Sequence, residues 1–224
     1  MFSSVIGYYK KGKNYLYKFI KRSFIKGHHQ LTNTTAINRY PEIFLLVKRY
    51  FESKSNTDIS FLSYGCSTGE ECFSLNDYFP KANIIGVDIY GPVLRKAESA
   101  NKFNNIRFML SNETNITSAG PFDTIFAMSV LCRWEDTKGV DNCSQIYPFR
   151  HFEETLELLD KNLNVGGLLV IYNSNYLFRD SAISKKYRPL FGDEITGSGF
   201  VHKFKKTGER ELQEYKEVIF QKTT

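Results

Sequence analysis

Residues 59 to 71 read Ile59-Ser60-Phe61-Leu62-Ser63-Tyr64 and then Gly65-Cys66-Ser67-Thr68-Gly69-Glu70-Glu71. A short, largely apolar run bounded by a glycine turn reads as a buried strand, and the turn after it has the makings of a binding loop. Gly65 and Gly69 let backbone approach a ligand with no Cβ in the way. Ser67 and Thr68 offer hydroxyls, and a helix opening near Gly69 presents unsatisfied N–H groups. Asp88 closes a second apolar run, Ile84-Ile85-Gly86-Val87-Asp88, 19 residues after Gly69. A carboxylate at that distance can accept both hydroxyls of a ribose. The dinucleotide fingerprint G-x-G-x-x-G is not met, because Ser67 stands where its second glycine lets backbone meet a pyrophosphate. The chemistry implied is the holding of a nucleoside-type ligand without one.

These residues need a scaffold, and the hydrophobic pattern supplies it. Strands are expected at 59–64, 84–88, 106–110, 124–128 and 168–172. Helices are expected from Pro41 through Phe51, from about Gly69 to Phe79, from Pro92 to about Ala100, and from Phe149 to Leu163. The last leads into a strand through Gly166-Gly167. Strands alternating with helices imply a parallel sheet covered on both faces. The end of the chain breaks the alternation: Phe200–Phe204 and Tyr215–Phe220 flank Lys206-Thr207-Gly208-Glu209 with no room for a crossover helix, which predicts an antiparallel hairpin. The expected fold is a Rossmann-like α/β domain, a mostly parallel seven-stranded sheet with an antiparallel terminal hairpin and helices on both faces. Strand, loop, strand-ending Asp88 and terminal hairpin together resemble the class I S-adenosylmethionine-dependent methyltransferases.

Composition narrows the setting. The chain has 224 residues, 42% hydrophobic and 24% charged, which suits one domain. Its net charge of +6 is concentrated at the start: residues 1–30 carry Lys10, Lys11, Lys13, Lys18, Lys21, Arg22 and Lys26 and no acid. The division expected is a basic amphipathic extension over 1–30 and a catalytic body over 31–224. The extension suggests packing on the body, or a weak membrane-surface or acidic-partner contact. The body is close to neutral, and no nucleic-acid partner is expected. Cys66, Cys72, Cys132 and Cys143 form no C-x-x-C pair, and the histidines at 28, 29, 151 and 202 complete no zinc pattern, so no metal site is expected. Free thiols, no secretory signal and no run near the ~18 apolar residues of a span place the protein in the cytoplasm.

A closer resemblance rests on Ser63-Tyr64-Gly65-Cys66-Ser67-Thr68-Gly69-Glu70-Glu71, which is similar to the S-A-G-C-S-T-G-E-E loop of the CheR family, the chemotaxis-receptor glutamate methyltransferases. Asn33 to Arg39 resembles its N-x-T-x-F-F-R segment, Asp88-Ile89 its D-I-D motif, Asn112 falls on its N-L-L motif, and Phe122 to Leu131 resembles F-D-x-I-F-C-R-N-V-x. The resemblance implies S-adenosylmethionine as cofactor and S-adenosylhomocysteine as product. It implies that Asn33, Thr35 and Arg39 close over the methionyl end, Glu70 takes the ammonium, Asp88 the ribose and Asn112 the adenine. Gly65, Cys66, Ser67, Thr68, Gly69, Ile89 and Met128 complete the cofactor-binding set. Asn112 also suits the cap of a short helix.

Toward the methyl acceptor the sequence departs from that family. Met128-Ser129 replace its Arg-Asn, Arg133 stands at its Tyr, and its N-terminal helical domain is absent. Fold and cofactor therefore follow from the resemblance and the substrate does not. A small-molecule acceptor is the leading reading; a protein or peptide carboxylate or amine, and a non-catalytic cofactor-binding module, are the alternatives. Candidate catalytic residues are Arg39, Arg133 to orient an anionic acceptor, and His151 as a base, with His28 and His29 as further bases. Trp134, Tyr147, Tyr172, Tyr176 and Phe178 are candidate walls of an aromatic cavity, beside a long insertion over 174–198.

Overall fold

The computed structural model describes residues 29, 30, 32, 34–54 and 58–224. The basic segment over 1–28, His28 and Asn33 lie outside the described residues. Seven strands form one sheet: β1 (Ser60–Tyr64), β2 (Asn83–Asp88), β3 (Ile106–Leu110), β4 (Phe122–Met128), β5 (Leu163–Tyr172), β6 (Tyr187–Leu190) and β7 (Ile219–Lys222). Their spatial order is β3-β2-β1-β4-β5-β7-β6, with β1 to β5 parallel and β7 antiparallel to both neighbours. The Rossmann-like, mostly parallel seven-stranded sheet with an antiparallel end is the fold expected from the sequence.

Strict alternation along the central strands divides the core. Phe61, Phe126, Met128, Leu168 and Val170 face one side, where they meet α1 (Pro41–Glu52) through Phe44 and Val47 and α2 (Glu70–Tyr78) through Leu75. Leu62, Ile125, Ala127, Leu169 and Ile171 face the other, against Phe152, Leu156 and Leu159 of α5 (Phe149–Lys161). Strands buried on both faces need apolar residues throughout, so they read as continuous hydrophobic runs. Two shorter helices complete the layers, α3 (Gly91–Ala100) after β2 and α4 (Glu113–Ala119) after β3.

Two expectations are corrected at the end of the sheet. β5 starts at Leu163 rather than Leu168: Gly166-Gly167 is no connection but an irregularity within the strand, where the pairing with β4 shifts register. Gly166 has φ +81°, and a Cβ on Gly167 would lie 2.9 Å from the carbonyl of Asp123, so this bulge requires glycine. The partner of β7 is Tyr187–Leu190, not residues 200–204. β6 is the sheet edge, where Pro189 costs no ladder bond. Residues 198–204 instead fold over the end of β5: Asn173 N donates to Ser198 O, Phe204 N to Asn175 O and the Asn175 amide to His202 O. Buried Lys203 adds a 2.6 Å bond to Ser174 O.

Asp160 on α5 locks the antiparallel end to the helical layer. It is 5% exposed and takes ion pairs from Lys186 (2.6 Å) and Lys222 (3.1 Å) and a hydrogen bond from the Tyr187 hydroxyl (2.8 Å). Burial pushes its carboxyl up, but these three donors outweigh it and leave it below the usual value.

Candidate active site

The first half of the loop after β1 is shaped by hydrogen bonds across the sheet. Gly65 N and Cys66 N both donate to Val87 O, and Ser67 N donates to Asp88 Oδ2 at 3.0 Å. Gly65 (φ +81°) lies so near Val130 that a Cβ would sit 2.5 Å from its Cγ2. Tyr90 N donates 2.8 Å to Asp88 Oδ1. Asp88 is thus oriented by amides from two loops, at the C-terminal end of β2, where open α/β sheets bind ligands.

These groups border a cleft of about 880 Å³, counted to its open mouth. Of the residues singled out from sequence, Thr35, Arg39, Gly65, Cys66, Ser67, Asp88, Ile89 and Met128 line it. Thr68, Gly69 and Glu70 do not: the chain turns into α2 there, and the Glu70 carboxylate accepts from Thr68 Oγ1 at 2.7 and 2.8 Å. Exposed Asn112 caps α4, its Oδ1 accepting from Asn115 N at 2.8 Å, and Ser111 beside it reaches the cleft. Of the candidate catalytic residues, Arg39 lines the cleft, whereas Arg133 and His151 are outside it. Arg133 lies 4.0 Å from Asp136, with burial lowering its pKa, and His151 is exposed in the first turn of α5. His29 does line the cleft, held at 2.5 Å from the Tyr147 hydroxyl and 2.9 Å from Thr155 Oγ1.

The arrangement adds residues that sequence reasoning passed over. Glu71 lines the cleft and accepts a 2.7 Å bond from Ser63 Oγ. Burial pushes its carboxyl up to about 7, with the Ser63 bond and the Arg39 charge acting the other way. A polar Ser63 inside an apolar strand was the available signal of a buried partner. Tyr40 and Ser129 also line the cleft and share a 2.8 Å hydrogen bond. Arg39 donates to Thr34 O at 2.7 Å with its guanidinium beside the Tyr40 ring.

Of the aromatic candidates, Tyr147, Tyr176 and Phe178 are core residues, and Tyr172 packs on Tyr40 with ring centroids 4.7 Å apart. Trp134 walls a second cavity of about 260 Å³ beside the cleft, reached past Arg39 and Ser129, which border both.

The residues present fit a nucleoside with a charged amino-acid tail. Ser67 Oγ and Thr32 Oγ1 are buried at the cleft with no hydrogen-bond partner among the described residues, and buried polar atoms call for one. The lining also carries the carboxyl groups of Asp88 and Glu71 and the guanidinium of Arg39. A Rossmann-like sheet with such a cleft across β1, β2 and β4 defines a nucleoside-cofactor domain.

The chain belongs to the Methyltransf_31 family, described as a methyltransferase domain, whose pattern matches residues 55–217. A curated relative, malonyl-[acyl-carrier protein] O-methyltransferase 2 of Coxiella burnetii (strain RSA 493 / Nine Mile phase I), is 33% identical over 115 residues, 50% of this chain and 45% of that protein. The match therefore spans less than half the length of this curated relative. Solved structures similar to this chain include the plantazolicin methyltransferase BpumL in complex with SAH, at 20% identity over 59% of this chain and 45% of that one, TM-score 0.42. Another is CalS10, an amino pentose methyltransferase from Micromonospora echinaspora, at 16% identity over 58% and 48%, TM-score 0.40.

Proposed function

We propose that the protein is a methyltransferase that uses S-adenosylmethionine to methylate a small-molecule acceptor. The observation that carries this reading is the cleft in which Asp88, Ser67, Glu71 and Arg39 converge and which opens, past Ser129, on a second cavity. When bound, S-adenosylmethionine would supply an electrophilic methyl carbon on a sulfonium, with S-adenosylhomocysteine as the product. Asp88 accepts the ribose hydroxyls. Glu71, one residue on from the acid the loop resemblance implies, takes the ammonium, and Arg39 and Thr35 the carboxylate. Ile89, Met128 and Ser111, the last in place of Asn112, would contact the rest of the nucleoside. Holding donor and acceptor in adjoining cavities supplies the positioning that methyl transfer depends on.

The loop Ser63 to Glu71 supports placing the protein in a CheR-like branch, and four buried unpaired thiols support a cytoplasmic setting. Among the described residues no helix is long and apolar enough to cross a membrane. The Coxiella relative, a malonyl-[acyl-carrier protein] O-methyltransferase, favours a second reading, an acceptor carried on a protein. Incubating the protein with methyl-labelled donor and fractionated extract separates the two: label in low-mass products supports the first reading, label in the protein fraction the second, and none in either overturns both.

A further inference from the structure

Phe200 is 59% exposed, yet it is held firmly. Its backbone N–H donates to Asn173 Oδ1 at 2.8 Å, and Gly199 before it has φ +98° and sits so close that a Cβ would come 1.9 Å from the same oxygen. The Phe200 ring meets Trp134 with centroids 5.6 Å apart and planes at 90°. Two perpendicular rings make a corner in which a third flat ring stacks on one and turns its edge to the other, the arrangement aromatic quadrupoles favour. Both rings wall the second cavity.

Ser129, which borders both this cavity and the cleft, belongs to a hydrogen-bonded triangle with Tyr40 and Asn173. Because Phe200 N occupies Asn173 Oδ1, the amide orientation is settled, and Nδ2 faces Tyr40 OH (2.9 Å) and Ser129 Oγ (3.0 Å). The two hydroxyls lie 2.8 Å apart and share one hydrogen. Asn173 donates to both, so the triangle uses only one of the two hydroxyl hydrogens. The other is left for a group outside the triangle; Ser129 borders both the cleft and the second cavity, and Tyr40 borders the cleft.

Resting on the methyl-donor reading above, we propose that the cavity walled by Trp134 and Phe200 is the acceptor subsite, taking a small molecule with a flat aromatic ring and an oxygen lone pair, a carboxylate or phenol, directed at Ser129 and Tyr40. Asn173 is a positioning residue for both the ring corner and the donor.

Trp134 is the single tryptophan of the chain, so its indole N–H gives one resonance in a nitrogen–proton spectrum. Calorimetry with S-adenosylhomocysteine is run first on the full chain. Benzoate and cyclohexanecarboxylate are then titrated into the complex while the indole resonance is followed. Benzoate is expected to shift it saturably and to bind roughly 2- to 12-fold tighter than its non-planar counterpart, the scale of one aromatic pair. Phe200→Ala, a change at an exposed position, is expected to remove that preference. S-adenosylhomocysteine binding with an unmoved indole resonance, or equal affinity for the two acids, overturns the acceptor subsite and leaves the donor reading standing. Absence of S-adenosylhomocysteine binding overturns the donor reading, and the subsite falls with it.

Discussion

The Ser63 hydroxyl, in the middle of β1, donates a 2.7 Å hydrogen bond to the Glu71 carboxylate in the first turn of α2. The acid is thereby pinned in the cleft within reach of the Arg39 charge, with its carboxyl pushed up to about 7 by burial. An ammonium partner needs the ionised form, so binding below that value must release a proton. S-adenosylhomocysteine affinity is expected to rise with pH by up to roughly tenfold per unit below 7 and to level above it. Glu71→Gln should bind more weakly and flatten this component. A wild-type profile with no rise between pH 5.5 and 8 would remove Glu71 from the ammonium site.

The same shift bears on stability. A carboxyl raised from 4.5 to about 7 on folding favours the folded state while protonated; that advantage is complete below 4.5 and lost as pH rises through 7. Thermal unfolding should therefore give Glu71→Gln a gain over the wild type above pH 7 that shrinks toward pH 4.5. A gain independent of pH would contradict the assigned cause.

Gly199→Ala tests the device that holds Phe200. A Cβ there meets Asn173 Oδ1 at 1.9 Å, at φ +98°, a backbone conformation that costs a side-chain-bearing residue on the order of 1–3 kcal/mol. The expected result is a raised KM for the acceptor once one is in hand, with S-adenosylhomocysteine affinity changed far less. Equal losses of both would mean that the 198–204 segment serves the donor cleft as well.

Asp160→Ala should destabilise the fold by about 1–3 kcal/mol, the cost of removing hydrogen bonds to a charged group; Lys222, only 11% exposed, loses its carboxylate and keeps the backbone carbonyls of residue 160 and Leu163. Because the Asp160 carboxyl is held below its usual value, its contribution is present above the unfolded carboxylate value and lost as pH falls through the folded one. Denaturant unfolding at pH 7 and pH 3 checks both statements: a difference between variant and wild type that fails to shrink at pH 3 would contradict them.

What could be read from the chain alone follows from the range of the interactions involved. Gly65, Ser67 and Asp88 were legible because a buried strand, a glycine turn and a strand-ending acid are local patterns. Glu70 and Glu71 are neighbours on a helix, about 100° apart around its axis at 3.6 residues per turn, and only the docking of α2 decides which one meets the cleft. Ser111 and Asn112 divide in the same way at the turn into α4, one facing the cleft and the other capping the helix. The sixth strand was missed because Tyr187-Arg188-Pro189-Leu190 has an edge strand's polar and proline content. Residues 200–204 look like a strand but, rather than pairing with β7, divide their backbone groups between Asn173 to Tyr176 and a tight antiparallel turn in which Phe204 pairs with Arg210 and Lys203 O accepts from Glu211 N. Lone aromatic residues were the least legible: Trp134 and Tyr147 look alike in sequence, and one walls a cavity while the other is 1% exposed in the core.

The Asp88 carboxylate is oriented by Ser67 N and Tyr90 N at the end of β2. Calorimetric titration of S-adenosylhomocysteine into wild-type protein and Asp88→Ala measures its contribution. One site is expected on the wild type, with affinity reduced in the variant by on the order of 1–3 kcal/mol, the cost of losing hydrogen bonds to a charged group. A folded wild-type protein that binds no S-adenosylhomocysteine would contradict the proposed function, and undiminished binding by the variant would contradict the site.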